Sequence, residues 1–584
     1  MNNLSKANSG GVASPYPEMA KINRATSFND MDEGLKTLQA NKDKWVITAV
    51  DERIAILDEI RRDLIPLSGP WIALSIDAKG VPQHSFGEGE EWLTFGSIFG
   101  LISSLRESLE DIKKYGQPRI GGPITVRSNN QVVAKVFPQT KIESMMFPGL
   151  SEEVWMEPDI FPEEMLITQA KAYKDENAWG AVCLILGAGN ASSLPIADLL
   201  YRLFVANHVA MLKPNPVNAY LGPLMEKGFS CLIKRGYLRI VYGGATEGSY
   251  LCHHPLVDEI HLTGSDKTFE TIIFGSGSEG AEHKVQKRPS ISKPVSAELG
   301  NVTPVIVVPG PWNDNDIRKQ AEKITTWLAC NAGCNCLTPR LLVQHQSWDQ
   351  RETLIKTIGD VMAHLETRKA YYPGAIERHA AFVSAHPNAL QFGDSSHGQL
   401  PWTLIPDVDS KNTNDICFHK EAFCCVLAET ALGAANIPEF IDRAVDFVNG
   451  TLWGTLTASI IIHPKSMLDP NIAASLDRAL VNLRYGTICI NEWGIMAFPF
   501  ARTSWGGFPG HDTYNVQSGI GFVNNTPMFD KPQKAVIRGP FKKTPDVTLI
   551  TFKHFPEIAR KIADYQASPS IWKVPGLVWT EFKG

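Results

Sequence analysis

Nowhere in the 584 residues does an uninterrupted apolar run approach the roughly 20 positions that a membrane-spanning helix needs. Net charge is also scarce: 56 Lys and Arg against 62 Asp and Glu leave a formal −6. Such a surface has no global attraction to a phosphate backbone, which argues against nucleic acid as a partner. The ten cysteines lack the spacing of a disulfide framework, and Met1-Asn-Asn-Leu-Ser-Lys6 lacks the apolar core of a signal peptide. A reducing, cytoplasmic setting is the expectation. There is no internal repeat. What is present is 43% hydrophobic and 20% charged, the composition of a globular chain with two or three domains and cores that need no metal or disulfide.

Residues 1–30 are rich in Ser, Asn, Gly and Pro and read as a loose lead. Helical patterns dominate 31–120; in Asp51–Ile60, for example, Ile54, Leu57 and Ile60 fall on one face. Within 121–160, two β-branched runs flank Ser128-Asn-Asn130 and predict a hairpin. Between 161 and 295, strand-like runs at Ala181–Leu186, Val209–Leu212, Leu238–Tyr242 and Glu259–Leu262 alternate with helical patterns. That alternation implies right-handed crossovers and a parallel, dinucleotide-type sheet. The stretch 275–293 is longer than an ordinary connection and reads as an inserted loop. Alternation resumes through 296–490 as a second α/β domain. Beyond 536, Phe555, Ile558, Ile562 and Tyr565 share a helical face, followed by Trp572, Leu577, Val578, Trp579 and Phe582. So many apolar rings need a surface to cover them.

The chemistry centres on Asn331-Ala-Gly-Cys-Asn-Cys336. Small residues and asparagine let the backbone turn tightly and present a thiol beside its own amide N–H, an arrangement suited to attack on a carbonyl. Cys336 is the candidate nucleophile. Core filling is the commoner role for a cysteine beside a helix. Ligation of a metal by Cys330, Cys334 and Cys336 is a third reading, but it lacks a C-x-x-C pair and a nearby fourth ligand, so no metal is expected. Upstream, Ser296-Ala-Glu-Leu-Gly-Asn-Val-Thr-Pro304 runs into the strand-like Val305–Val308 and places Glu298 thirty-eight positions before Cys336.

This ordered pair resembles the aldehyde dehydrogenase superfamily, where E-L-G-G-K-x-P supplies a general base and N-x-G-Q-x-C the nucleophile. The resemblance implies an α/β fold with a Rossmann-type coenzyme domain, an α/β catalytic domain and a β-strand oligomerisation arm. In those terms 31–120 packs on the coenzyme domain, 121–160 is the arm's hairpin, and 491–535 returns to the coenzyme domain and supplies an oligomerisation strand. It implies Glu298 as the base that activates water and Asn190, in Leu186-Gly-Ala-Gly-Asn-Ala-Ser-Ser-Leu-Pro195, as a side-chain donor to the oxyanion in place of P-W-N-x-P. Taken alone, Asn190 reads as a turn or a helix cap. For NAD or NADP it implies Lys213 at the ribose, Gly264 and Ser265 at the pyrophosphate, Glu421 at the nicotinamide ribose and Phe423 beside the nicotinamide. The family's acidic ribose reader is Pro216 here, and a later glycine is Phe269. The implied function is oxidation of an aldehyde to an acid through a cysteine thiohemiacetal and thioester. Gly300-Asn-Val-Thr-Pro304 also resembles acyl-CoA-forming relatives, so a CoA-acylating enzyme is one alternative and a non-catalytic binding protein another. The expected partners are a small aldehyde and further copies of the chain, as a homodimer or homotetramer. The C-terminal extension is expected first to pack on its own body or a neighbouring subunit, with a place at the substrate tunnel or a membrane contact as alternatives.

Overall fold

The structure is a computed structural model that describes residues 25–175 and 177–581. Most of the expected lead, residues 1–24, lies outside the described residues, and its last positions already belong to the helix Phe28–Val46, capped by Ser27.

Two sheets organise the chain. The smaller has six strands in the order Gly519–Ile520, Val295–Leu299, Glu259–Gly264, Val182–Leu186, Val209–Lys213, Leu238–Ile240, and all but the first run parallel. Its apolar strand runs are buried because helices cover both faces. The chain enters at Val182–Leu186, winds outward to Leu238–Ile240, then returns to the other side at Glu259–Gly264. Strand order therefore reverses beside Val182–Leu186, and ligands of such sheets bind outside the carboxyl ends at that point. The N-terminal helices pack on this unit, with Trp45 Nε1 donating to Leu203 O at 3.1 Å.

The larger sheet has eleven strands. Seven run parallel, in the order Pro532–Arg538, Thr487–Ile490, Thr457–Ile461, Thr303–Val307, Pro339–His345, Val426–Leu432, Trp402–Val408. Antiparallel strands flank them: Leu390–Phe392 at one edge, and Ser151–Met156, Val132–Phe137 and Ile124–Val126 at the other. The hairpin expected as a subunit arm is thus an extension of the chain's own large sheet, joined to it through Pro532–Arg538.

Two further expectations change. The boundary expected between 295 and 296 falls inside the strand Val295–Leu299, and the crossing from one sheet to the other occurs in Gly300-Asn-Val302. The stretch 275–293 is not simply a loop. It contains the helix Gly277–Val285, packed on the helix Asp266–Phe274 with His283 Nδ1 beside Phe274 O at 2.9 Å. In the C-terminal extension the helix Phe555–Ala567 packs along Phe86–Tyr115, as expected, whereas Trp572 and Trp579, also expected to be covered, are exposed.

Candidate active site

The seam between the sheets gathers the singled-out residues. The small sheet presents carboxyl ends there, with Glu298 in its strand Val295–Leu299 and Asn190 just after Val182–Leu186. The large sheet presents amino ends, with Cys336 ahead of Pro339–His345 and Glu421 and Phe423 ahead of Val426–Leu432.

The helix Asp314–Ala329 leads into a turn in which Asn331 (φ 53°), Ala332 (φ 56°) and Gly333 (φ 74°) are all left-handed. Glycine and asparagine tolerate this region, whereas Ala332 must be held there by its surroundings. Asn331 supplies much of that hold: its Nδ2 donates to Asn190 O, Cys334 O and Asn335 Oδ1 at 2.9–3.2 Å. Lys79 Nζ reaches Glu91 Oε1 (2.5 Å), Asn331 Oδ1 (3.0 Å) and Asn190 O (3.1 Å), while the Tyr371 hydroxyl donates to the same two asparagine oxygens. Arg340 closes the far side, donating to Gly333 O, Asn335 O and Cys424 O.

This framework delivers Cys336 with its own backbone N–H beside its sulfur. Burial pushes the thiol well above its ordinary range, and the carboxylates of Glu298 and Glu421 push the same way against the backbone N–H and Arg340. Cys334 is spent on structure, its Sγ donating to Phe423 O at 3.5 Å. Asn190 Nδ2 donates to Cys334 O at 3.0 Å and lies a looser 3.4 Å from Asn335 Oδ1.

Glu298 accepts a 2.6 Å hydrogen bond from Trp505 Nε1 on Oε1, while its buried Oε2 has no partner among the described residues. Burial raises its pKa to about 8, Asp198 adds to the rise, and the indole opposes it. Glu421 rises to about 7 through burial, against Arg340 and the Asn301 backbone N–H. Its carboxyl rests on Gly300, where any Cβ would collide with it, so the glycine two residues after Glu298 makes room for Glu421. Glu421 Oε1 is buried and has no hydrogen-bond partner among the described residues. Phe423 has a left-handed backbone (φ 44°) and packs edge-on against Tyr372 at 4.8 Å.

Lys213 ends the strand Val209–Lys213, buried, with its ammonium pKa lowered by desolvation. Gly264 ends Glu259–Gly264, and Ser265 caps the helix Asp266–Phe274 by accepting from Thr268 N at 3.1 Å. Phe269, in the place of the family's later glycine, is core.

A sequence model of the aldehyde dehydrogenase family matches residues 147–377, the span that holds Asn190, Lys213, Glu298 and Cys336. Over that span the chain is similar to the aldehyde dehydrogenase family. A probable coniferyl aldehyde dehydrogenase of Caulobacter vibrioides is 24% identical over 50% of this chain and 59% of that protein. Betaine aldehyde dehydrogenase 1 of Oryza sativa is 32% identical over 25% of this chain and 26% of its own length. The chain thus spans less than two thirds of these curated relatives. The fold matches more widely: Mycobacterium tuberculosis aldehyde dehydrogenase complexed with NAD+ superposes with TM-score 0.59 and 18% identity, covering 88% of this chain and 91% of that one.

The aldehyde dehydrogenase motifs point to Cys336, Glu298, Asn190, Glu421 and Phe423, all of which meet at the seam. They give no sign of Lys79, Glu91, Tyr371, Arg340 or Trp505. Only Arg340 leaves a trace in the sequence, as a charge at the head of the apolar run Leu341–Val343.

Proposed function

We propose that this chain oxidises an aldehyde to a carboxylic acid with NAD or NADP, the acyl group being carried on Cys336. The observation that carries the reading is the meeting, on one thiol with its backbone N–H alongside, of two carboxyl groups from different elements, Glu298 and Glu421. Attack forms the Cys336 sulfur–carbon bond as the thiol passes its proton to water and the carbonyl electrons move to oxygen. That oxyanion is met by the Cys336 N–H and by the Asn190 amide hydrogen that Asn335 holds only loosely. A bound NAD or NADP would supply the acceptor for the hydride that leaves the thiohemiacetal carbon, leaving the thioester on Cys336. Glu421 Oε1, buried without a partner among the described residues, suits a ribose hydroxyl, and Lys213, Gly264 and Ser265 lie at the carboxyl ends of their strands, where a coenzyme would lie. Glu298 then takes a proton from water as that water attacks the thioester, and the Cys336 sulfur leaves.

Pro216 in place of an acidic ribose reader removes a charge that would repel a ribose phosphate, so both coenzymes should bind, which titration with each will check. The deciding experiment supplies aldehydes of graded chain length with NAD or NADP, with and without coenzyme A, and identifies the acyl product. Acid as the product, and loss of turnover in Cys336→Ala, are expected. Acyl-CoA released in preference to acid would transfer the assignment to the CoA-acylating reaction, and turnover surviving in Cys336→Ala would remove the thiol from it.

A further inference from the structure

A second group of reactive side chains lies outside the thiol site. His386 follows the helix Ala375–Ala385, and Asp415 and Cys417 sit at the first turn of Ile416–His419. His386 Nε2 is 3.0 Å from Asp415 Oδ1 and 3.4 Å from Cys417 Sγ, and the three atoms all lie within 4.8 Å of one another. Both neighbours face the same ring nitrogen, which carries at most one proton and can satisfy only one of them well. Ligands about 2.0–2.3 Å from a tetrahedral zinc ion stand roughly 3–4 Å apart, the separation seen on the two measured edges. Asp415 Oδ1 is also held by the Cys417 backbone N–H at 2.9 Å. Access is open on one side: the His386 and Asp415 side chains each keep 12% of their surface, while Cys417 closes the base.

We propose that His386, Asp415 and Cys417 form a binding site for a thiophilic divalent cation of the zinc type, with water in the fourth position. An imidazole and a thiolate select zinc over magnesium or calcium, whose preferred ligands are all oxygen. Binding displaces the thiol proton, so uptake releases protons and weakens as pH falls. The cation would join two segments that also meet at the active site. The helix Ala375–Ala385 carries Arg378, which donates to Ala422 O (2.8 Å) and Phe423 O (3.2 Å), and the turn holding Asp415 and Cys417 leads directly into Glu421. None of the three ligands is among the groups that act most strongly on the Cys336 thiol, and the ion takes no part in the reaction proposed above.

The test uses the full-length protein, stripped with a chelator and titrated with cobalt(II) as a spectroscopic stand-in for zinc. Wild type and Cys336→Ser are expected to develop a thiolate-to-cobalt absorption band that saturates at one equivalent and is displaced by zinc. Cys417→Ser should lack the band, and His386→Gln should weaken binding at least tenfold, with circular dichroism verifying that both variants are folded. Absence of the band in wild type would mean a hydrogen-bonded triangle without an ion and overturn the proposal. Persistence of the band in Cys417→Ser, or its loss in Cys336→Ser alone, would also overturn it.

Discussion

The two carboxyls that act on the Cys336 thiol, Glu298 and Glu421, both have their pKa raised by burial. On the proposed mechanism Glu298, raised to about 8 by burial, must lose its proton to act as the base, which favours activity as pH rises through that value. Hydrolysis of the acyl-enzyme should therefore accelerate from about pH 7 to about pH 9. In Glu298→Gln that limb should vanish and turnover should fall by about 10²–10⁴-fold, the usual span for a general base, while the first burst of reduced coenzyme survives. Stopped-flow bursts and intact mass of the accumulated acyl-enzyme check this, and hydrolysis at the wild-type rate would place the base elsewhere. Cys334→Ala and Cys330→Ala should keep most turnover, since neither thiol has the flanking carboxyls and backbone donor together. Lys79 makes a different kind of contribution. Its ammonium and the Glu91 carboxylate are almost wholly buried, so Lys79→Met strands a charge beneath the nucleophile turn. That should cost about 3–5 kcal/mol of stability, measured by denaturant unfolding.

Among the elements, the long helix Phe86–Tyr115 is shaped for the helix that covers it. Gly89 faces the Phe555 ring, Gly96 faces Ala563 and Gln566, and Gly100 faces Pro499 O, each with no room for a Cβ. Gly96→Leu should therefore lift the helix Phe555–Ala567 and destabilise by about 1–3 kcal/mol through overpacking, seen as a lower melting temperature and faster proteolysis of the C-terminal segment. Unchanged melting would mean that the two helices part freely. Much of this level was legible in the sequence, because strands such as Val182–Leu186 and Val209–Lys213 are short apolar runs bounded by turn residues, and Phe555 and Ile558 carry the helical period. The helix Gly277–Val285 was not, since its glycines and serine argue for a loop and what holds it is packing on its neighbour. The site divides in the same way. Cys336, Glu298 and Asn190 lie in motifs with fixed order and spacing, whereas Lys79 lies 111 residues before Asn190, Tyr371 lies 181 residues after it and Trp505 lies 207 residues after Glu298, leaving no local signature.

At the scale of the whole molecule, the large sheet hides an acid faced at a distance by the charge of Arg502. Glu152 lies on Ser151–Met156, the strand that ties the hairpin to Pro532–Arg538, and among the described residues neither of its buried carboxyl oxygens has a hydrogen-bond partner. Burial raises its pKa from 4.5 to about 8. Between those values the folded chain holds a proton that the unfolded chain has released, so this group's contribution to stability declines as pH rises from 4.5 to about 8 and is level above that. Glu152→Gln removes the decline. The variant's melting temperature should gain on that of wild type between pH 5 and pH 8, and a constant difference would show that Glu152 stays ionised in the fold. The sheets themselves are linked most directly by Gly300-Asn-Val302, a connection pinned at its centre by Asn301 Nδ2 donating to Thr457 O at 2.9 Å. Glu298 rides on one side of that link, and Cys336 precedes the strand beside Thr303–Val307 on the other. A link so short has no slack to absorb a rotation of one sheet against the other. On the roles proposed above, a rotation that opened the cleft would also change the separation of Glu298 from the Cys336 sulfur, so coenzyme exchange and hydrolysis would be mechanically coupled.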